Sequence, residues 1–360
     1  MEKSLYFQYV QKFFPKLVLR LQEKINGKEE EPTYLHTGLL KPDYSVDGRW
    51  SSVIGNYTRI SADVVAMDSS LPLKKRGTIS RADGDLPKLG MELYLNEKQM
   101  SDIDALIAQN ADEQIILGKI FNDTGTVIAG VQETLEELFL RGLSTGVALT
   151  ASENVGTGVR LDYGYLPENQ FGVSVLWATP ATATPIDDIK RVVERADEVG
   201  VAINTVYADD KAINLFLATD QVKMQYAFSL GFQGSNIPAP NLDQANSMLF
   251  ANFGFTIQKI NRTVIKQVDG VSIPIKPWEP GRLVFTVDAQ LGSLVYTNVA
   301  ERNHQVDGVA YQVANQHTLV SKYRVNRPSL REYTASQARA IPVITNVDRI
   351  FTLDALTVQA

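Results

Sequence analysis

The sequence predicts an α+β protein that carries a long extended excursion outside its cores. Three observations predict this. Apolar residues recur at helical spacing in separated stretches, among them residues 6–21, 112–143 and 184–199. Alternation of period two, bounded by glycine and proline, marks residues 144–180 and 255–287. Between the first two helical stretches, residues 62–95 place strand-like ends (Val64, Val65, Met67; Met91, Leu93, Tyr94, Leu95) around a middle rich in Pro, Gly and alternating charge. A loop of this length with no core of its own is normally functional or disordered. An isolated two-stranded ribbon is marginal in water, so such an arm needs a surface to lie on.

The elements follow in order. Tyr6, Val10, Phe13, Phe14, Leu17 and Leu21 make the first segment an amphipathic helix, kinked or restarted at Pro15. That stripe either packs on its own domain or docks on a partner. It is interleaved with Lys, Gln and Arg and has no small-residue cleavage site, so it is not read as a signal peptide. Nor does any apolar run approach the roughly 18 residues of a membrane span. Residues 27–61 are extended and irregular. A short helix near Glu97–Gln109 precedes a longer helical region over 112–143, whose stripe runs through Leu117, Ile120, Val127, Ile128, Val131, Leu135, Leu138 and Phe139. Gly118, Gly125 and Gly130 each lower its helicity by about 1 kcal/mol relative to Ala, so packing must hold it, and it is free to bend. Thr184 and Pro185 open a well-punctuated helix with Asp187 and Asp188 in its first turn and Gly200 past its end. A buried strand over 201–207, helices near 210–219 and 241–252, and a hairpin turning at Val268-Asp269-Gly270 follow. The tail mixes short strands with prolines.

Composition narrows the function. With 360 residues, 44% hydrophobic and 21% charged, the chain can bury substantial cores. A formal charge of −6 argues against a sequence-reading nucleic-acid binder, which should present a basic face. The absence of cysteine removes disulfides, thiol nucleophiles and thiolate metal sites. His36, His304 and His317 lack ligand spacing, and no glycine-rich phosphate loop occurs, so neither a metal nor a cofactor is expected. Gly142-Leu143-Ser144-Thr145-Gly146 fits the pattern of a hydrolase elbow, but that elbow needs a strand before the serine and a helix after it. Here a helix precedes and a strand follows, which reads as a glycine-terminated helix. Asp187–Asp188 and Asp209–Asp210 sit where helices start and are read as capping charges. Trp177 and Trp278 are read as packing residues, and the sequons at Asn56 and Asn261 carry no weight without a secretory signal. No catalytic constellation is visible, so the chain is not read as an enzyme.

Four segments, in order, resemble the lambda-type major capsid proteins (protein E family) of tailed bacteriophages, most of all those of phages and prophages of Bacteroides-like hosts. SLPLKKRGTISRADGDLPKLGMELYLNEKQMSDI is similar to the family's extended loop and return strand, and ETLEELFLRGLSTGVALTA to the end of its spine helix. LWATPATATPIDDIKRVVERADEVG resembles the opening of the axial domain, and VSKYRVNRPSLREYTASQARAIPVITNVDRIFTLD the C-terminal stretch. The resemblance covers most of residues 60–360 and implies the tailed-phage shell fold. Its parts would be an N-terminal arm and helix over 1–59 and an extended loop over 60–95. A peripheral domain over 96–180 would carry the spine helix at 112–143. An axial domain over 181–255 and a β-rich return over 256–360 would complete it.

The implied function is structural: pentamers and hexamers closing into an icosahedral shell around double-stranded DNA, assembled in the host cytoplasm and located in the virion capsid. Implied partners are other copies of the chain, with portal, scaffold or decoration proteins, and DNA held without sequence specificity; no membrane is involved. A compact precursor that expands during packaging is also implied, without cross-linking chemistry. Lys74, Lys75, Arg76, Arg81, Asp83 and Asp85 of the arm are the candidate inter-subunit contacts, against the simpler reading that they are solvated. An encapsulin-like compartment and a soluble α/β enzyme built on residues 184–220 remain the alternatives.

Overall fold

The computed structural model describes residues 1–25, 34–55, 79–149, 160–231, 239–268 and 270–359. Among them the helices are α1 (Phe7–Ile25), α2 (Leu35–Leu39), α3 (Glu97–Ala108), α4 (Glu113–Ile120), α5 (Asn122–Thr145), α6 (Pro185–Glu198), α7 (Asp210–Ala218), α8 (Asp220–Ser229), α9 (Leu242–Phe253) and α10 (Ala300–Asn303). Strands β1 (Leu40–Tyr44), β2 (Arg49–Gly55), β3 (Ile79–Asp85) and β4 (Lys88–Leu95) precede α3. Then come β5 (Val147–Leu149), β6 (Arg160–Asp162), β7 (Gln170–Val173), β8 (Thr205–Asp209) and β9 (Thr256–Ile260). The rest are β10 (Val264–Val268), β11 (Val271–Ile275), β12 (Arg282–Thr286), β13 (Gly292–Thr297), β14 (Ala310–Ala314), β15 (Thr318–Val325), β16 (Arg331–Ile344) and β17 (Ile350–Val358). They form two units, one of Met1–Trp50, Asp83–Phe139 and Ser293–Val343, the other of Ser51–Ala82, Leu140–Gly292 and Ile344–Ala360.

The first unit is built on a sheet in the order β1–β13–β16–β15–β14, with β4 added against β16. β16 is 14 residues long and buries a run of small and apolar side chains, Ala335, Ala338, Ala340, Ile341 and Val343. It pairs antiparallel with β15 through Arg331–Ala338 and with β4 through Glu332–Arg339. Tyr94, Tyr333 and Tyr323 therefore meet across three strands, with ring centroids 5.7 and 5.4 Å apart. The tail is thus not a set of short strands, as the prolines suggested: Pro342 lies inside β16, buried in its far third. α1 lays Val10, Phe14 and Val18 into a core with Ile103, Ile116, Ile120, Val127, Ile128 and Val320. Its stripe is used within its own unit, and the helix runs unbroken past Pro15. The region expected as one helix over 112–143 is instead two. The break falls at Phe121 (φ −108°, ψ 10°) rather than at a glycine. Phe121 is buried against Phe14, ring centroids 6.2 Å apart, and Asn122 and Asp123 then restart the helix with an acid in its first turn.

The second unit is built on a mixed sheet in the order β7–β17–β12–β8–β9. β8 and β9 are parallel and joined through α7, α8 and α9, while β12 runs antiparallel to both β8 and β17. Trp177, Ile189, Val192, Phe216, Leu249, Phe255, Phe285 and Phe351 fill the core between sheet and helices. Helix ends are set locally: Asn241 and Gln244 form a reciprocal capping box on α9, and Gly254 (φ +81°) closes it in the left-handed conformation. α8 carries no periodic signal in the sequence, because its apolar residues are spread around the helix rather than along one face. The expected hairpin is β10–β11 with Gly270 at φ +79°. β2 and β3 pair with each other as a separate two-stranded sheet, as do β5 and β6.

Candidate assembly surfaces

The candidate arm residues divide by position. Lys74, Lys75 and Arg76, and the outgoing flank Val64, Val65 and Met67, lie outside the described residues. Arg81, Asp83 and Asp85 fall on β3, and Asp85 and Asp83 are exposed. Asp85 accepts a hydrogen bond from Arg49 Nε at 3.3 Å, a contact within one chain between two exposed side chains. The return flank Met91–Leu95 is β4, a strand of the first unit's sheet rather than half of a projecting ribbon. The ribbon is instead started by Arg49–Gly55, a segment whose glycines and charges read as irregular.

The root of this ribbon is tightly determined. Ser45 Oγ donates to Asp47 at 2.8 Å, and the Arg49 amide donates to both side chains, an Asx-type turn that reverses the chain at Gly48 (φ +71°). Those hydrogen bonds hold the Asp47 carboxyl below its ordinary range. Leu86 N donates to Gly48 O at 2.9 Å, while the Arg339 guanidinium reaches Leu86 O at 3.4 Å. Buried Trp50 lies against Gly84, where a Cβ would come within 2.9 Å of the indole nitrogen. At Gly90 a Cβ would stand 2.7 Å from Ser336 O on the paired strand, so β4 needs glycine there.

A buried polar chain that spacing did not reveal joins His36 to α5. His36 Nδ1 lies 2.6 Å from Glu136 Oε2 and its Nε2 3.1 Å from Gln132 Oε1; Gln132 Nε2 in turn lies 3.3 Å from His317 Nε2. Glu136 also accepts the amides of Leu35 and His36 at 3.0 Å, fixing the start of α2. Burial opposes ionisation of Glu136, but the His36 ring and the two amides outweigh it and hold its pKa down. Burial, then the His36 charge, push His317 down to about 4. Nearby, Lys322 is wholly buried and donates to Thr334 Oγ1 at 2.9 Å. Desolvation lowers its pKa and raises that of buried Glu332. Among the described residues, no group of His, Asp and Glu is placed to hold a metal ion, and no helix is long and apolar enough to cross a membrane.

In the second unit the acidic pairs have separate duties. Asp209 caps α7 through Ala212 N at 3.0 Å and also takes Gly281 N at 3.1 Å; Asp210 pairs with Lys259 at 2.6 Å. These acids border a cavity of 640 Å³ with Leu215, Ile260, Trp278 and Pro280, so its carboxylates are committed to structure. Asp188 does more than complement a helix dipole. Buried, it accepts from Ser174 N (3.0 Å), Ser174 Oγ (3.0 Å), Trp177 Nε1 (2.9 Å) and Arg191 Nη2 (2.9 Å), locking the 174–184 connection onto α6. Thr184 is the N-cap by position only; its side chain makes no capping bond. Ser144 of the elbow-like pentapeptide sits at a helix C-terminus, donates to Arg141 O and accepts from Glu279 N, and Gly146 (φ +78°) ends the helix. Met224 and Phe228, one turn apart on α8, and Leu230 just past its end are exposed, as is Phe250 on α9; Phe228 is 82% exposed.

The model of a family described as phage major capsid protein E matches residues 20–355. None of the curated proteins matches in sequence. Among solved structures, one is a protein assigned as a prophage capsid protein of E. coli CFT073, with a TM-score of 0.58 and 12% identity, covering 94% of this chain and 98% of that one. Another is a phage-related protein of Bordetella bronchiseptica RB50, with a TM-score of 0.54 and 12% identity, over 94% of this chain and 96% of that one. At such identity the likeness is one of fold, and it spans both units.

Proposed function

We propose that this chain, which belongs to the phage major capsid protein E family, builds pentamers and hexamers that close into an icosahedral head around double-stranded DNA. The observation that carries the proposal is the family match over residues 20–355, nearly the whole of this chain. Residues 181–255 are assigned to the axial domain, and the exposed Met224, Phe228, Leu230 and Phe250 supply apolar area for contacts around the capsomer axis. Obligate interfaces of this kind bury roughly 2,000–5,000 Å² with apolar centres. The arm over 60–95 is assigned to a neighbouring subunit. Lys74, Lys75, Arg76 and Arg81 there meet acidic groups, and Asp83 and Asp85 meet basic ones, which sets register more than affinity. The formal charge of −6 suits a wall that grips DNA weakly and without sequence preference. Assembly in the host cytoplasm, with portal, scaffold or decoration proteins, completes the proposal.

Electron microscopy of the purified protein tests it. Closed shells or six-membered rings are the expected result; discrete particles the size of a monomer or dimer, at every concentration and ionic strength tried, overturn it.

A further inference from the structure

The donors and acceptors of the buried polar chain on α5 fix where its protons lie. Glu136 Oε2 accepts from His36 Nδ1 at 2.6 Å. Gln132 Oε1 can only accept, so His36 Nε2, 3.1 Å away, donates as well. Gln132 Nε2 can only donate, so His317 Nε2, at 3.3 Å, accepts. His36 then carries a proton on each nitrogen, and His317 on Nδ1 alone. Turning the Gln132 amide over reverses the order: Nε2 donates to His36 and Oε1 accepts from His317. A primary amide has one donating and one accepting end, so either orientation suits one imidazolium and neither suits two. The ends of the chain are held unequally. His36 is 1% exposed, and Glu136 takes both its ring and its backbone amide. His317 closes the β14–β15 turn, where Asn315 (φ +51°) and Gln316 (φ +65°) are both left-handed. Both side-chain polar atoms of Asn315 are buried without a partner, and a cavity of 250 Å³ lies beside Asn315 and His317. That turn has space to move into and a side chain already short of partners.

We propose that the Gln132 amide makes this chain a one-proton latch, and that a second proton releases the 315–317 turn from α5 while α2 stays attached. With both rings charged, both Nε2 atoms donate, and the Gln132 NH2 group faces a donor instead of an acceptor. The groups around His317 sharpen the conflict. They are His36 from α2, Arg302 from α10, whose Nη1 reaches Gln316 O at 3.2 Å, and Tyr296 from β13, whose ring centroid lies 6.0 Å from that of His317. Glu136 of α5 is committed to His36, and α1 contributes the neutral Gln22, which accepts from Asn315 N at 2.9 Å. Burial and the His36 charge, against the Asn315 backbone, hold His317 down to about 4, whereas a released ring returns to the ordinary 6.5. The released turn thus binds the proton more tightly, and acidification from about pH 7 to 4.5 favours release on the order of 50-fold.

Hydrogen–deuterium exchange, scaled for the intrinsic rate at each pH, tests the latch. Protection over residues 314–319 is expected to fall at least about tenfold between pH 7 and 4.5. The amides of Leu35 and His36, which donate to Glu136, are expected to keep theirs. His317→Gln supplies an accepting oxygen that does not titrate, so protection of the turn should stay constant across that range. Gln132→Glu, whose carboxylate accepts from two charged rings, should also hold the turn at pH 4.5; should it not fold, His317→Gln decides alone. Constant protection in the original protein, a loss that takes α2 with the turn, or an equal loss in either folded variant overturns the latch.

Discussion

Asp188 concentrates four hydrogen bonds on one buried carboxylate, and one of its donors, the Trp177 indole, is buried where water cannot replace the lost acceptor. Truncation leaves that indole orphaned and takes from the Arg191 guanidinium its carboxylate, leaving it Gly172 O. Asp188→Ala is expected to lower stability by about 3 kcal/mol, read from denaturant unfolding; a loss under about 0.5 kcal/mol would reduce Asp188 to a helix-dipole charge. His317 makes the second residue-scale prediction. Its folded-state value of about 4 lies below the ordinary histidine value of 6.5, so the unfolded chain binds the proton more readily between those limits. Its contribution is fully present above about pH 6.5 and is lost as the pH falls through about 4. The window of 6.5 to 4 corresponds to a loss on the order of 3 kcal/mol. Glu136, held low, adds its own loss only beneath the usual carboxylate range. The unfolding free energy should decline across pH 6.5–4.5, and His317→Gln should flatten that decline; identical slopes in both proteins contradict the assignment.

At the scale of elements, two glycines of the α4–α5 region make opposite predictions. A Cβ at Gly142 would lie 2.4 Å from Cε2 of buried Tyr163, whereas nothing stands within 4 Å of one at Gly118. Alanine improves helix propensity by about 1 kcal/mol at either site. At Gly142 the overlap with a buried ring, about 1–3 kcal/mol, exceeds that gain. Gly142→Ala should therefore destabilise and Gly118→Ala stabilise, and melting curves that shift the same way for both contradict the packing argument. These helices also show what the sequence made legible. Caps and periodicity placed α3, α6, α7 and α9, because such signals act within a turn of chain. Phe121 as the break between α4 and α5 was hidden, since its cause is a ring from α1, and so was β4 as a sheet strand, since its partner lies in β16. The Glu136–His36–Gln132–His317 chain joins residues 281 positions apart, and no local spacing rule reaches that far. Of the candidate arm residues, sequence marked the charged stretch but not its root, which depends on Gly48, Leu86 and Arg339 meeting in space.

For the whole molecule, the decisive prediction concerns charge on the arm. The chain carries 35 basic and 41 acidic side chains, so its average surface is acidic, yet Lys74, Lys75 and Arg76 place three positive charges in succession. Exposed ion pairs within a single subunit contribute only about 0–1 kcal/mol. Laid on an acidic neighbour, the same charges act at every one of the many equivalent contacts of a closed shell. A small term per contact is then multiplied around the particle, and the wrong register is penalised by like-charge juxtaposition. Lys74→Glu, Lys75→Glu and Arg76→Glu combined should leave the thermal unfolding of the dissociated subunit within about 1 kcal/mol of the original, as a role for these charges between copies rather than within one requires. The same variant should form no closed particles at moderate ionic strength. High salt should narrow the difference between variant and original, since the Debye length falls from about 10 Å at 0.1 M to 3 Å at 1 M. Electron microscopy and sedimentation across that salt range read both effects. Particles of normal size and yield from the triple variant at low salt would show the arm charges to be solvent-facing, and assembly would then rest on the apolar surfaces alone.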